Sequence, residues 1–334
     1  MGVENSYRRL YSIDTQLYKV TGVEKVMLDI HHAVKDEFNA KIVGTIPYES
    51  VNVVHNISRD EYVKFSDPFM FNDSIVVVHE RRLLILFWLL KYILFQRIEV
   101  VYVHHNIFHN HKLMTILPKT IVAIADEGIK NLTDFFGASI DSIHKIHNCV
   151  VDSRKDTHPL MNRDKISILL PGRINSQKQQ VEIVRQLRGK LDSRIRICFA
   201  GDGPELEDLE RKCHNDPQFE VLGFRADVHD LMRKNDFVLL YSVHEGLPIA
   251  LIEATMIGVP IICNNVGGNS EICHSGKNGW LLETWDELVA TLNHLPDISN
   301  EEYASMCQEG RKVYEEKFAY DIFKDKYLRL LKSL

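Results

Sequence analysis

Short apolar runs recur along the chain at positions 10–13, 42–46, 75–78, 100–103 and 121–124, with stretches of helical spacing between them. Runs of this length, bounded by polar turn residues, read as buried strands. Strands that alternate with helices predict a parallel sheet with helices on both faces. A second series follows at 166–170, 195–200, 219–222, 237–241 and 259–263. The pattern therefore predicts two doubly wound α/β domains of the Rossmann-like type. Between the two series, 152–165 is polar, contains Pro159 and lacks apolar periodicity. That stretch reads as the linker, with the break near 155. The expected domains are 1–155 and 156–310. Over 311–334, Phe318, Ile322, Phe323, Tyr327, Leu330 and Leu331 keep helical spacing, so a last helix could cross back to the first domain.

A length of 334 residues suits two such domains, each large enough for its own core. The balance of 40 basic against 46 acidic residues gives a formal charge of −6. No broad positive surface is available for a phosphate backbone, which argues against nucleic acid as a partner. Six cysteines are scattered without a C-x-x-C pair, as reduced buried thiols are, and a cytoplasmic setting fits them. Positions 1–6 lack a basic segment leading into an apolar one, so no secretory signal is read there. The most apolar stretch, 83–95, is broken only by Lys91 and flanked by Arg81, Arg82 and Arg97. It is shorter than the ~20 residues that span a bilayer. An all-round apolar helix between strands reads as buried, with peripheral membrane contact through 81–97, at the inner face, as the functional alternative.

The segment 237–260 carries the most chemistry. A strand over 237–241 leads to Glu245 in a loop, Pro248 suits the first turn of a helix, and Gly258 with Pro260 suits its end, which places Glu253 inside the helix. A helix start offers N–H groups and partial positive charge to a phosphate, while carboxylates on either side can grip hydroxyls. Two glutamates eight apart also occur by chance on solvated helices, so the whole string through Gly267, Gly268 and Glu271 weighs more than the spacing. After the strand 166–170, Gly172-Arg173 and Lys178 place two cations five apart in a loop. They could clamp a diphosphate or be surface charges.

Gly172-Arg173 with Lys178, then 200–205 (Ala-Gly-Asp-Gly-Pro-Glu), then Glu245 to Glu253, then Gly267-Gly268 with Glu271 form an ordered set. On these residues the chain resembles the retaining family 4 glycosyltransferases of the GT-B fold, the group 1 glycosyltransferases. The resemblance is strongest over 166–282. It implies two Rossmann-like domains facing across a cleft, an N-terminal acceptor side and a C-terminal nucleotide-sugar side. It implies that Arg173 and Lys178 bind the donor diphosphate, that Glu245 holds the transferred sugar, that backbone around Gly246 and Leu247 meets phosphates or sugar, and that Glu253 holds the ribose hydroxyls. Gly22 in 20–26 matches the glycine loop after the first strand, with Thr21 where relatives often carry another glycine. Cys149 stands where glycine commonly follows the asparagine.

After the strand 100–103 come His104, His105 and Asn106, where similar enzymes put a histidine near the reacting phosphate; register favours His105. Alternation sends the two rings to opposite faces. His105, His109 and His111 could suggest a metal, but no Asp or Glu lies in 102–120 and the chain has no D-x-D triplet. The expectation is metal-independent, cofactor-free transfer of a hexose-type unit from a nucleoside diphosphate sugar to a carbohydrate or lipid-linked acceptor, in surface polysaccharide or glycolipid biosynthesis. Two other readings are a catalytically inactive sugar-nucleotide-binding subunit, suggested by Thr21 and Cys149, and a nucleotide-sugar epimerase.

Overall fold

The computed structural model describes residues 8–154, 161 and 164–334. Positions 1–6 and most of the expected linker lie outside them. The chain divides into two compact units, Met1–Cys149 together with Tyr320–Leu334, and Val150–Ala319.

The first unit holds β1 (Arg9–Ile13), β2 (Asn39–Gly44), β3 (Tyr62–Lys64), β4 (Ser74–Val78), β5 (Ile98–His104), β6 (Thr120–Ala123) and β7 (Ile143–Lys145). All pair in parallel in the order β3-β2-β1-β4-β5-β6-β7. Its helices are α1 (Gly22–Val34), α2 (Leu84–Tyr92) and the short α3 (Asp126–Lys130). The second unit holds β8 (Ile166–Pro171), β9 (Ile195–Ala200), β10 (Phe219–Gly223), β11 (Phe237–Leu240), β12 (Ile261–Asn264) and β13 (Gly279–Leu282), also parallel, in the order β10-β9-β8-β11-β12-β13. Its helices are α4 (Gln180–Leu187), α5 (Leu206–Cys213), α6 (Val228–Lys234), α7 (Ile249–Ile257), α8 (Asn269–Ile272), α9 (Trp285–His294) and α10 (Asn300–Lys317). The last helix, α11 (Tyr320–Lys332), belongs to the first unit and packs on α1.

Each sheet reverses its strand order once, between β1 and β4 and between β8 and β11. At such a point the loops leaving two neighbouring strands diverge and open a crevice at the carboxyl edge. The loops that begin at Asp14 and His79 flank one such point, and those that begin at Gly172 and Tyr241 flank the other. Central strands are apolar without alternation because both faces are covered; Ser74 to Val78 is buried throughout. Ile168, Leu170, Ile197, Phe199, Phe237 and Leu239 anchor the core of the second unit.

Three expectations change. The division falls at Cys149/Val150, ahead of 155, because residues 150–154 are held by the second unit: the Tyr314 hydroxyl donates to the Val150 carbonyl (2.9 Å) and the Arg311 guanidinium pairs with Asp152. Positions 311–334 form the end of α10 and a separate α11, with a break at Phe318 and Ala319, where Val150 bridges to Ala319. And α2 is only half buried. Leu84, Phe87 and Leu90 face the core, whereas Ile85, Trp88, Leu89 and Tyr92 are exposed.

Glycine is obligatory where the loops after β8 and β9 touch. A Cβ on Gly201 would stand 1.9 Å from the Gly172 carbonyl oxygen, and one on Gly203 would stand 2.1 Å from that of Ile174. The turn from β9 into α5 thus braces the loop that carries Arg173 and Lys178. Replacing Gly201 by Ala should cost the second unit about 1–3 kcal/mol or more, since only backbone can yield. Chemical denaturation followed on that unit checks this; an unchanged midpoint would mean the loops are not in contact.

Candidate functional site

In the second unit the loop after β8 and the loop after β11 are stitched together. The Val243 amide donates to the Gln177 carbonyl (2.8 Å) and the Gln177 side chain donates to the His244 carbonyl (3.0 Å). Across this seam the Lys178 ammonium donates to Glu245 Oε1 at 2.6 Å. Glu245 is 7 % exposed, so the pair sits where water screens it weakly and the carboxylate would be costly without its cation. Lysine carries three donors, and one is spent on Glu245. Two remain for an anion.

The carboxylate is positioned from behind by backbone. Gly267, at φ +55, lies so close that a Cβ there would stand 1.9 Å from the Glu245 carbonyl oxygen, and the Gly268 amide donates to the Gly246 carbonyl (2.8 Å). Asn264 fixes the start of the same loop through both amide and carbonyl of Ser242 (3.0 and 2.7 Å). Leu247 and Pro248 are buried, and α7 then starts at Ile249 with no side-chain cap. It ends at Gly258 in the left-handed region, φ 89. The first turn of α7 is therefore an amide-rich end beside Glu245 and Lys178. Arg173 extends from the β8 loop, exposed, with no ion pair among the described residues.

Glu253, one turn into α7, faces a cavity of about 550 Å³ whose lining includes Ser153, Gly172, Asp227, His229, Arg233 and Glu253. His229 Nε2 lies 3.3 Å from Glu253 Oε1, and its Nδ1 lies 3.0 Å from the Ser153 hydroxyl. The tautomer with hydrogen on Nε2 donates to Glu253 and accepts from Ser153. Arg233 pairs with Asp230 (2.6 Å) and donates to the Ser153 carbonyl (2.8 Å). Sequence reading missed His229 and Ser153. They come from elements distant in sequence from Glu253, and no apolar pattern frames them.

Of the residues singled out in the first unit, Thr21 and Gly22 follow β1, His104 ends β5 with His105 directly after it, and Cys149 follows the edge strand β7. Gly22 is the first residue of α1, exposed, with open space where a Cβ would stand. Thr21 caps that helix: Glu24 accepts from the Thr21 amide (2.8 Å) and hydroxyl, a capping box. Cys149 is buried and does not adopt positive φ. Both departures from the glycine pattern are thus accommodated without strain.

His104 and His105 do take opposite partners. His104 hydrogen-bonds Asn131 (3.1 Å) and Tyr102 (3.3 Å), while His105 Nε2 meets His79 Nδ1 at 2.9 Å. Burial pushes His104 down to about 4 and His105 down to about 3, and His79 well below its ordinary value. His105 is therefore neutral near pH 7 and offers hydrogen bonds rather than charge. Beside this pair, and missed in the sequence, Glu80 accepts from the Thr15 amide (2.6 Å) and from Arg82 (2.6 Å). Burial, with Glu80 and Glu24 nearby, pushes Asp14 up to about 7. Their signal was positional, since Asp14, His79 and Glu80 directly follow strands at the reversal point. His105, His109 and His111 do not converge: His105 stacks on His79 and His109 packs on Phe135.

Residues 153–313 match the family model described as glycosyl transferases group 1. The second unit is a group 1 glycosyl transferase domain. The putative glycosyltransferase EpsD of Bacillus subtilis is 29% identical over 161 residues, 45% of this chain and 41% of EpsD. The 2-deoxystreptamine N-acetyl-D-glucosaminyltransferase of Niallia circulans is 30% identical over 205 residues, 58% of this chain and 52% of that protein. The chain thus spans about half or less of the length of these curated relatives. Among solved structures, Anabaena Alr3699/HepE in complex with UDP aligns over 98% of this chain and 100% of its own, with TM-score 0.83 at 16% identity. The lipopolysaccharide outer core galactosyltransferase WaaB, apo form, aligns over 97% and 100%, with TM-score 0.77 at 16% identity. The glycosyl transferase domain and the sheet before it therefore share the GT-B architecture of two Rossmann-like units.

The buried histidines make the first unit acid-sensitive. His31 is also pushed down to about 4 by burial. Between about pH 4 and the unfolded value of about 6.5, the unfolded chain binds protons that these four rings refuse, so stability falls as pH falls. Asp14 acts oppositely, because its folded value lies above the unfolded one and its contribution is lost as pH rises through 7. Four groups outweigh one. Going from pH 7 to 5 should cost the first unit on the order of 1–2 kcal/mol for each of His31, His104 and His105, with His79 acting in the same direction, less the Asp14 gain. Amide exchange at the two pH values checks this; equal protection would show the rings charge freely when folded.

Proposed function

We propose that this protein transfers a hexose-type sugar from a nucleoside diphosphate sugar to an acceptor hydroxyl, with retention of anomeric configuration, in assembly of a surface polysaccharide or glycolipid. The observation that carries the reading is the Lys178 ammonium held 2.6 Å from the buried Glu245 carboxylate at the strand reversal, beside the uncapped start of α7. A departing diphosphate needs fixed positive charge and amide donors. A sugar needs an acceptor oxygen that cannot wander.

In this reading Lys178 and Arg173 stabilise charge growing on the leaving diphosphate, with the start of α7 supplying amide donors around Gly246 and Leu247. Glu245 accepts from a sugar hydroxyl and keeps Lys178 in place. Glu253, oriented by His229, accepts from the ribose hydroxyls within the cavity that both line. The bond from the anomeric carbon to the diphosphate oxygen breaks as the acceptor oxygen bonds to that carbon, and the acceptor's proton passes to the diphosphate. Charge neutralisation by side chains and the helix end makes the step metal-independent. His105, being neutral, acts by hydrogen bonding. Retention is supported by the family resemblance. A uridine nucleotide is the first donor to try, because Alr3699/HepE is named in complex with UDP and with UDP-glucose. The polysaccharide role is supported by relatives such as the putative colanic acid biosynthesis glycosyltransferase WcaL of Escherichia coli.

Thr21 caps α1 and Cys149 is buried without positive φ, so neither departure strains the fold, which supports the active reading over the inactive-subunit one. Thermal shift with UDP, GDP, ADP and their sugar conjugates should show one responding base, and Glu253→Ala should abolish the response. A folded protein that answers to none would remove the donor site from this cavity. Once a donor is known, Lys178→Ala should lower kcat by ~10²-fold or more, as loss of one preorganised donor does. Unchanged turnover would exclude Lys178 from the mechanism.

A further inference from the structure

The first unit carries an apolar face that nothing in its own fold uses. Ile85, Trp88, Leu89 and Tyr92 sit at i, i+3, i+4 and i+7 on the solvent side of α2, opposite the buried Leu84, Phe87 and Leu90. The apolar run continues past the helix through Ile93 and Leu94 to Phe95, which is 85% exposed. Phe95 also adopts φ 53, the left-handed region that disfavours a bulky side chain. The fold gains nothing from a phenylalanine there.

A second segment extends the same face. Ile116, Leu117 and Lys119 line a small cavity of about 140 Å³ together with Trp88, Lys91 and Tyr92 of α2. Just before them Leu113 is 98% and Met114 69% exposed. These nine apolar side chains are half of the 18 exposed large hydrophobics among the described residues, so the exposure is concentrated rather than scattered.

Charge decides what covers the face. Its carboxylates are spent: Glu99 pairs with Lys91 (3.2 Å) and Asp73 with Arg97 (2.7 Å). Lys112 and Lys119 remain exposed, with no ion pair among the described residues. A second copy docking the same face would bring these lysines against their counterparts. An anionic surface would not. Trp and Tyr on an apolar face flanked by Lys is the composition that settles at the headgroup level of a bilayer. Among the described residues no helix is long and apolar enough to cross one.

We infer that α2, the 93–95 turn and the 113–114 loop form a shallow insertion face for an anionic lipid bilayer, with Lys112 and Lys119 meeting the headgroups. The inference is independent of the donor chemistry and is read without it. The test is co-sedimentation of the full chain with phosphatidylcholine vesicles, with and without phosphatidylglycerol. Wild type should bind the anionic vesicles, and Phe95→Asn should weaken that binding about 10-fold, as loss of one inserted aromatic side chain would. Asn tolerates the left-handed region, so this variant should keep or raise the melting temperature. The double variant Lys112→Glu, Lys119→Glu should remove the preference for phosphatidylglycerol. No binding by wild type, or binding that neither variant changes, overturns the inference. So does a concentration-dependent dimer that Phe95→Asn dissolves in the absence of vesicle binding.

Discussion

The Lys178 to Glu245 ion pair joins loops from β8 and β11, the two strands between which the second sheet reverses. A parallel sheet of this order opens a crevice there whatever the sequence. What the sequence adds is a pair of opposite charges held across it, with backbone packed so tightly behind that neither loop can drift. Gly267 against Glu245 and Gly201 against Gly172 are the contacts that prevent drift. A buried carboxylate and its cation need each other, since either alone would carry the desolvation cost of an unpaired charge. The pair therefore fixes the register of the two loops on which the rest of the site hangs.

The first unit solves a different problem. Its crevice edge is crowded with ionisable groups, yet burial keeps the histidines neutral and Asp14 near half-protonated at pH 7. The charge held at that edge is the buried Glu80 carboxylate, paired with Arg82.

The central strands were legible because continuous apolar runs leave few alternatives. The missed strands β3, β7 and β13 are edge strands. β3 (Tyr-Val-Lys) and β7 (Ile-His-Lys) are three residues long and end in a polar residue, and in β13 the apolar run is only Trp280-Leu281-Leu282 after a glycine, so each is too short to stand out. Glu245, Lys178 and Glu253 were legible as a motif, but the ion pair was not, because spacing does not say which loops touch. His229 meets Glu253, and Ser153 meets His229, only through the tertiary fold. The exposed half of α2 was hidden for the opposite reason: an all-round apolar helix has no polar stripe to mark its solvent side.

The most direct test of the central claim is a double-mutant cycle on Lys178→Met and Glu245→Gln, read as the stability of the second unit in chemical denaturation. The ion pair as the constraint that holds both loops predicts a coupling of about 1–3 kcal/mol, with the double variant less damaged than the sum of the singles. Additivity within about 0.5 kcal/mol would mean that the two side chains merely lie close, and that something else positions the site.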